Sequence, residues 1–277
     1  MLTDHNLNRN GRLANWVYKL LWILFLACCM GRLLGDLAMF PLQNARILGD
    51  GFPVMAAILS VATLMRTLPA ENSIMVAIYV IVISTVLTMI EVRIGILSGP
   101  ISFTNVFGHK LFGRVPWAMP FIWVTLLINS RGVAKLILRP WRKARYYGFG
   151  MMGLTSLLIV LLSFQLEPFA TRVNDYWHFT TQRISWYDTP WTTFLDWFIG
   201  SLIILAFTTL WFINKKPVKS EPVDFLPLLI WLIILGLLTT ANLHHHLLTA
   251  GILGIATVII VSPSAVAGAR SKTDNVS

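Results

Sequence analysis

The chain has 277 residues, of which 56% are hydrophobic and only 12% charged; a soluble domain usually carries about 25% charged residues. Lys and Arg number 22 against 12 Asp and Glu, for a formal net charge of +10. These figures argue against a disordered chain, a collagen, a disulfide scaffold and an ordinary cytosolic enzyme. The apolar residues fall in long blocks between short polar connectors, which is the pattern of a membrane protein crossing the bilayer many times.

A helix needs roughly 17–25 residues to cross the hydrocarbon, so a chain of this length with short loops has room for about eight spans. In chain order the expected segments are Trp16–Phe40, Phe52–Leu68, Ser73–Ile90, Trp117–Leu138, Tyr146–Leu166, Phe194–Ile213, Phe225–Leu243 and Leu247–Val261. The second and eighth are short, so one of them is open to being tilted or re-entrant. The first run has no small-residue cleavage site behind it and reads as a span, not a cleavable signal. No run shows the alternation of a membrane strand. The expected fold is therefore an all-α polytopic transmembrane bundle: residues 1–262 form one integral-membrane domain, and residues 263–277 a disordered polar tail.

Charge sets the expected orientation. Arg131, Lys135, Arg139, Arg142, Lys143 and Arg145 crowd one connector; Lys215, Lys216 and Lys219 follow the sixth span; Arg9, Arg12 and Lys19 flank the first. With eight spans all three clusters share one face, which the charge bias of loops assigns to the cytoplasm together with both termini. The basic excess is thus read as a topology signal; no nucleic-acid partner is expected. Anionic-lipid binding by the connector at 130–145 is the lesser alternative.

The acids fall on the other face. Glu91 closes the third span, Glu167 closes the fifth and Asp196 opens the sixth. Carboxylates at membrane depth are costly and tend to line a cavity or reaction path; interfacial, solvated acids are the plainer reading of any one of them. Two aromatic-rich connectors join these spans. One carries Glu91, Gly95, Gly99-Pro100, Phe103, Gly113-x-Val115-Pro116, Pro120 and Trp123. The other carries Glu167-Pro168, Trp177, Tyr187-x-x-Pro190 and Phe194-x-x-Trp197. An interfacial aromatic belt explains some of these rings, but not the acids interleaved with them.

In order and spacing, these residues resemble the carotenoid biosynthesis family of membrane carotenoid hydratases, which includes the bisanhydrobacterioruberin hydratase and the γ-carotene 1′,2′-hydratase. The resemblance covers roughly residues 75–215. It implies addition of water across the terminal carbon–carbon double bond of an acyclic carotenoid, in a bacterial or archaeal cell membrane. The residue chemistry is compatible. A carboxyl group in an apolar pocket can remain protonated and act as an acid, aromatic faces stabilise a cation, and a second carboxylate can deprotonate water. Glu91 and Glu167 are the candidate pair, with Asp196 as substitute. Trp123, Trp177, Tyr187, Trp197 and Phe103 are the candidate pocket wall. Carotenoid or isoprenoid lipid and membrane lipids are the expected partners, and the reaction calls for neither metal nor redox cofactor.

Two rival readings compete with this one. A di-iron oxygenase needs clustered imidazoles at helical spacing, whereas His5, His109, His178 and the run His244-His245-His246 show no H-x-x-x-H pattern. Consecutive residues point in different directions on a helix, so the triplet reads as a turn. A non-catalytic carotenoid- or isoprenoid-binding or assembly membrane protein is the alternative.

Overall fold

A computed structural model describes residues 2–37, 45–180, 185–213 and 223–271. They form eight helices: α1 (Leu2–Asp36), α2 (Ala45–Leu64), α3 (Ala70–Ile94), α4 (Met119–Ile137), α5 (Tyr147–Pro168), α6 (Thr192–Phe212), α7 (Leu226–His244) and α8 (Leu248–Arg270). Among the described residues seven helices carry apolar stretches long enough to cross a membrane, and the apolar part of α2, Gly51–Leu64, is shorter. The protein is an all-α polytopic bundle, with α2 as its short segment. Prolines set several boundaries: α3 starts directly after Pro69, while Pro120 and Pro227 sit in the first turns of α4 and α7, where a missing N–H costs nothing.

The bundle is organised around α4, which packs against α2, α3, α5, α7 and α8. Its residues 123–130 are all buried. In an apolar surround, buried polar groups hold helices in register by bonding across them. Asn129 Nδ2 donates to Ser60 Oγ on α2 at 2.7 Å, and the Trp231 indole on α7 donates to Ser130 Oγ at 3.2 Å.

The eighth segment is longer than the hydropathy suggests. Where a polar tail is expected from residue 263, α8 runs on through Pro263 to Arg270; residues 272–277 lie outside the described residues. Ala265 and Ala269 are buried, and Gly268 lies on the end of α4, where a Cβ would come within 2.4 Å of the Leu136 carbonyl oxygen. The small residues that read as tail are those of a close helix crossing.

Short antiparallel ladders brace the two aromatic connectors. β1 (Ile101–Phe103) pairs with β4 (Trp177–Phe179), placing Phe103 opposite Trp177. β2 (Lys110–Leu111) pairs with β3 (Val115–Pro116), and β5 (Ser185–Trp186) with β6 (Thr189–Pro190). Strands of two or three residues leave no periodicity to read. His244 ends α7, His245 and His246 form the turn to α8, and all three are exposed. Of the basic clusters, Lys215, Lys216 and Lys219 and the side chains of Arg9 and Arg12 lie outside the described residues.

Candidate active site

Glu91 stands in the last turn of α3, which ends because Gly95 adopts a left-handed conformation (φ 58°) and returns its N–H to the Glu91 carbonyl at 2.9 Å. A Cβ at Gly95 would lie 2.1 Å from the Gly99 carbonyl carbon, so both conformation and space require glycine here. This tight turn brings Ser98 to the start of α6, where its hydroxyl donates to Asp196 Oδ2. Glu91 Oε1 is buried with no hydrogen-bond partner among the described residues.

Glu167 is built differently. It lies near the end of α5, and the following Pro168 lacks the N–H that would bond the Phe164 carbonyl. The Trp186 indole takes that carbonyl at 3.1 Å. The helix therefore does not stop at the proline but passes into a π-turn, Phe169–Val173. Neighbouring side chains commonly satisfy backbone groups freed by proline at membrane depth.

The Glu167 side chain is 2% exposed and accepts three hydrogen bonds. Trp197 Nε1 donates to Oε1 at 2.7 Å, and Trp177 Nε1 and Thr189 Oγ1 donate to Oε2 at 3.1 and 3.3 Å. Both oxygens act as acceptors, which is the arrangement a carboxylate fills. The donors come from β4, β6 and α6, so the connectors and the bundle meet at this one side chain.

These groups enclose one cavity of about 300 Å³, lined by Glu91, Glu167 and Asp196 and by the rings of Phe103, Trp123, Trp177 and Trp197. Trp123 and Trp197 lie with ring centroids 4.5 Å apart, and Phe103 meets Trp177 edge-on at 5.8 Å. Ile96 and Ile199 line the cavity and are also 64% and 39% exposed, so it opens sideways between the end of α3 and the start of α6. Trp177 separates this space from a smaller cavity of about 90 Å³ bordered by Arg32 and Asp36. There Arg32 bonds Asp36, Tyr176 and Asn174.

A family model described as "Carotenoid biosynthesis protein" matches residues 51–261. The chain belongs to that family. No curated protein and no solved structure matches it. Membership gives the chain a role in carotenoid biosynthesis, with an isoprenoid substrate class and a membrane setting, and it is an integral membrane protein. The family match takes in α3 to α7 entirely, with every residue of the cavity.

Of the residues singled out from sequence, Tyr187 alone stands apart from this cavity. Tyr187 and Asp188 both have positive φ, 50° and 66°, and form the two-residue loop between β5 and β6, as a type I′ turn requires. At the tip of that hairpin the Tyr187 hydroxyl meets Thr249 Oγ1 on α8, and Asp188 pairs with Arg172. The hairpin contributes Trp186 and Thr189 instead. Thr193 lines the cavity with its Oγ1 buried and unpartnered among the described residues, and two polar residues that sequence reasoning passed over serve the acids: Thr189 holds Glu167 and Ser98 holds Asp196. A lone hydroxyl beside an acid carries no motif, so nothing in the sequence marks them.

Proposed function

We propose that this protein is a carotenoid hydratase, adding water to the terminal carbon–carbon double bond of an acyclic carotenoid end group. The observation that carries the reading is the convergence of three carboxyl groups and five aromatic side chains on a single, mostly apolar cavity. At about 300 Å³ it sits at the small end of ligand pockets, with room for one end of a polyene. The lateral opening beside Ile96 and Ile199 lets the rest of the chain lie in lipid.

Hydration of an unactivated alkene requires a proton donor, a stabilised tertiary cation and a placed water. Glu91, whose Oε1 has no hydrogen-bond partner among the described residues, serves as the donor: the π pair takes its proton at the outer alkene carbon's neighbour and leaves the cation on the dimethyl carbon. The faces of Trp123, Trp177 and Trp197 surround that charge, each contributing about 2 kcal/mol when desolvated. Water adds its lone pair to the cation and gives its proton to Glu167, whose three donors fix the carboxylate in place. Asp196, which lines the same cavity as Glu91, provides a route for returning the proton to it. One water is consumed, and the carboxyls end as they began.

Expression in a host that makes acyclic carotenoids, followed by mass spectrometry of the pigments, tests the reading. A gain of one water is expected. Insertion of one oxygen would indicate an oxygenase, and unchanged pigment that copurifies would indicate a binding protein.

The same reading places both termini and the connector at 130–145 in the cytoplasm and the cavity in the outer half of the membrane. Reporter fusions after Arg142 and after Asp188 are expected to signal opposite sides. The same side for both would overturn that topology.

A further inference from the structure

The carboxyl cavity continues inward past its acids. On α6 it is lined by Thr193, Asp196, Trp197, Gly200 and Ile203, spaced i, i+3, i+4, i+7 and i+10, so these residues share one face of the helix. At ~1.5 Å per residue that face covers roughly 15 Å, half of a hydrocarbon layer of about 30 Å. Leu87, Thr88 and Glu91 supply the α3 side. Leu87, Gly200 and Ile203 are only half-buried, so the cavity is the head of a crevice between two spans that is open along one side.

The crevice is polar at one end and apolar at the other. Glu91 and Asp196 stand at its head; further along, Leu87, Gly200 and Ile203 are apolar, and the Thr88 hydroxyl is spent on the Ser84 carbonyl at 2.8 Å. Deeper still, α3 and α6 meet through the stacked rings of Tyr79 and Trp211, 6.0 Å apart. Gly200 stands out within this wall. Glycine inside a helix is less favourable than alanine, and no close helix crossing demands it here: a Cβ would meet Trp123 Cη2 at 3.5 Å and Leu87 Cδ1 at 3.9 Å, ordinary contact distances. At Gly251, Gly254 and Gly268 a Cβ would come within 2.4 Å of a neighbouring atom. Trp123 and Leu87 both line the cavity, so a larger side chain at position 200 fills the crevice.

We propose that the crevice between α3 and α6 holds the polyene chain next to its reacting end, and that Gly200 is a specificity-determining position. The flat conjugated chain lies over Gly200, against Trp123 and Leu87, and runs inward to Ile203, with its end group at the carboxyls. The proposal rests on the hydratase reading for its substrate class and adds the direction in which that substrate lies.

The test uses the full chain, produced in cells that make an acyclic carotenoid and purified in detergent. Two quantities are read: polyene absorbance retained per protein, and turnover of the carotenoid relative to a short acyclic isoprenoid with the same dimethyl alkene end. Gly200→Leu is expected to retain about tenfold less carotenoid, or less still, and to shift the turnover ratio toward the short substrate by about tenfold or more, as misfit in an apolar pocket does. Ile203→Phe, at the inner end of the crevice, is expected to act in the same direction and keeps the proposal testable if Gly200→Leu does not fold. Gly236→Leu serves as the control: it lies on α7, outside the cavity lining, where a Cβ meets nothing within 4 Å, and it is expected to match the wild type. Wild-type retention with an unshifted ratio in a folded Gly200→Leu or Ile203→Phe variant would overturn the crevice, even where the carotenoid is hydrated. Unchanged pigment in the wild type, together with retention lost in Gly200→Leu, would overturn the hydration reading and leave the crevice supported.

Discussion

Replacing Glu167 by Gln is expected to lower carotenoid hydration by at least 10²-fold, in the range found for a positioned proton-transfer group. It is also expected to weaken the fold. Trp197 Nε1 donates to one carboxylate oxygen at 2.7 Å and Trp177 Nε1 to the other at 3.1 Å. An amide has one acceptor oxygen, so in either orientation its NH₂ faces an indole N–H. Thr189 can turn its hydroxyl to accept, but an indole cannot. One buried donor is left unpaired, at a cost of about 1–3 kcal/mol. Pigment turnover and thermal unfolding in detergent, measured on the same preparation, should therefore both fall. Near-wild-type turnover would remove Glu167 from the chemistry.

Glu91→Gln is expected to cause a comparable loss of activity without the loss of stability. Glu91 Oε1 has no hydrogen-bond partner among the described residues, so the amide breaks no bond there. What the amide lacks is a proton it can deliver. The paired variants separate two accounts of these acids. If both only anchored span ends, Glu91→Gln would leave turnover unchanged, and Glu167→Gln would lose activity only in proportion to the protein unfolded.

Much of this architecture is written in hydropathy and charge. The spans are legible because each is a long apolar run, and the acids stand out because so few charges interrupt those runs. Glu91, Glu167 and Asp196 lie far apart in sequence, yet their places at span ends bring them to one end of the bundle. What could not be read is the geometry of the connectors. Tyr187 looks like a wall residue from its neighbours, but a type I′ turn without glycine or asparagine gives no sequence signal, and the turn carries its ring to α8. Pro168 looks like the end of a span, but the Trp186 indole caps the carbonyl it frees and the helical path continues. The run after Ser262 looks like a tail because Ser, Ala and Gly dominate it; the same small residues let α8 approach α4. In each case the deciding contact comes from a distant part of the chain, which local pattern does not register.

The source of the oxygen in the product tests the hydratase reading most directly. Cells producing acyclic carotenoids would express the protein in ¹⁸O-labelled water under ordinary air, and in a parallel culture in ordinary water under ¹⁸O₂. Hydration through a tertiary cation takes its oxygen from water, so the new hydroxyl is expected to carry label in the first culture and none in the second. Label arriving from molecular oxygen would contradict the account.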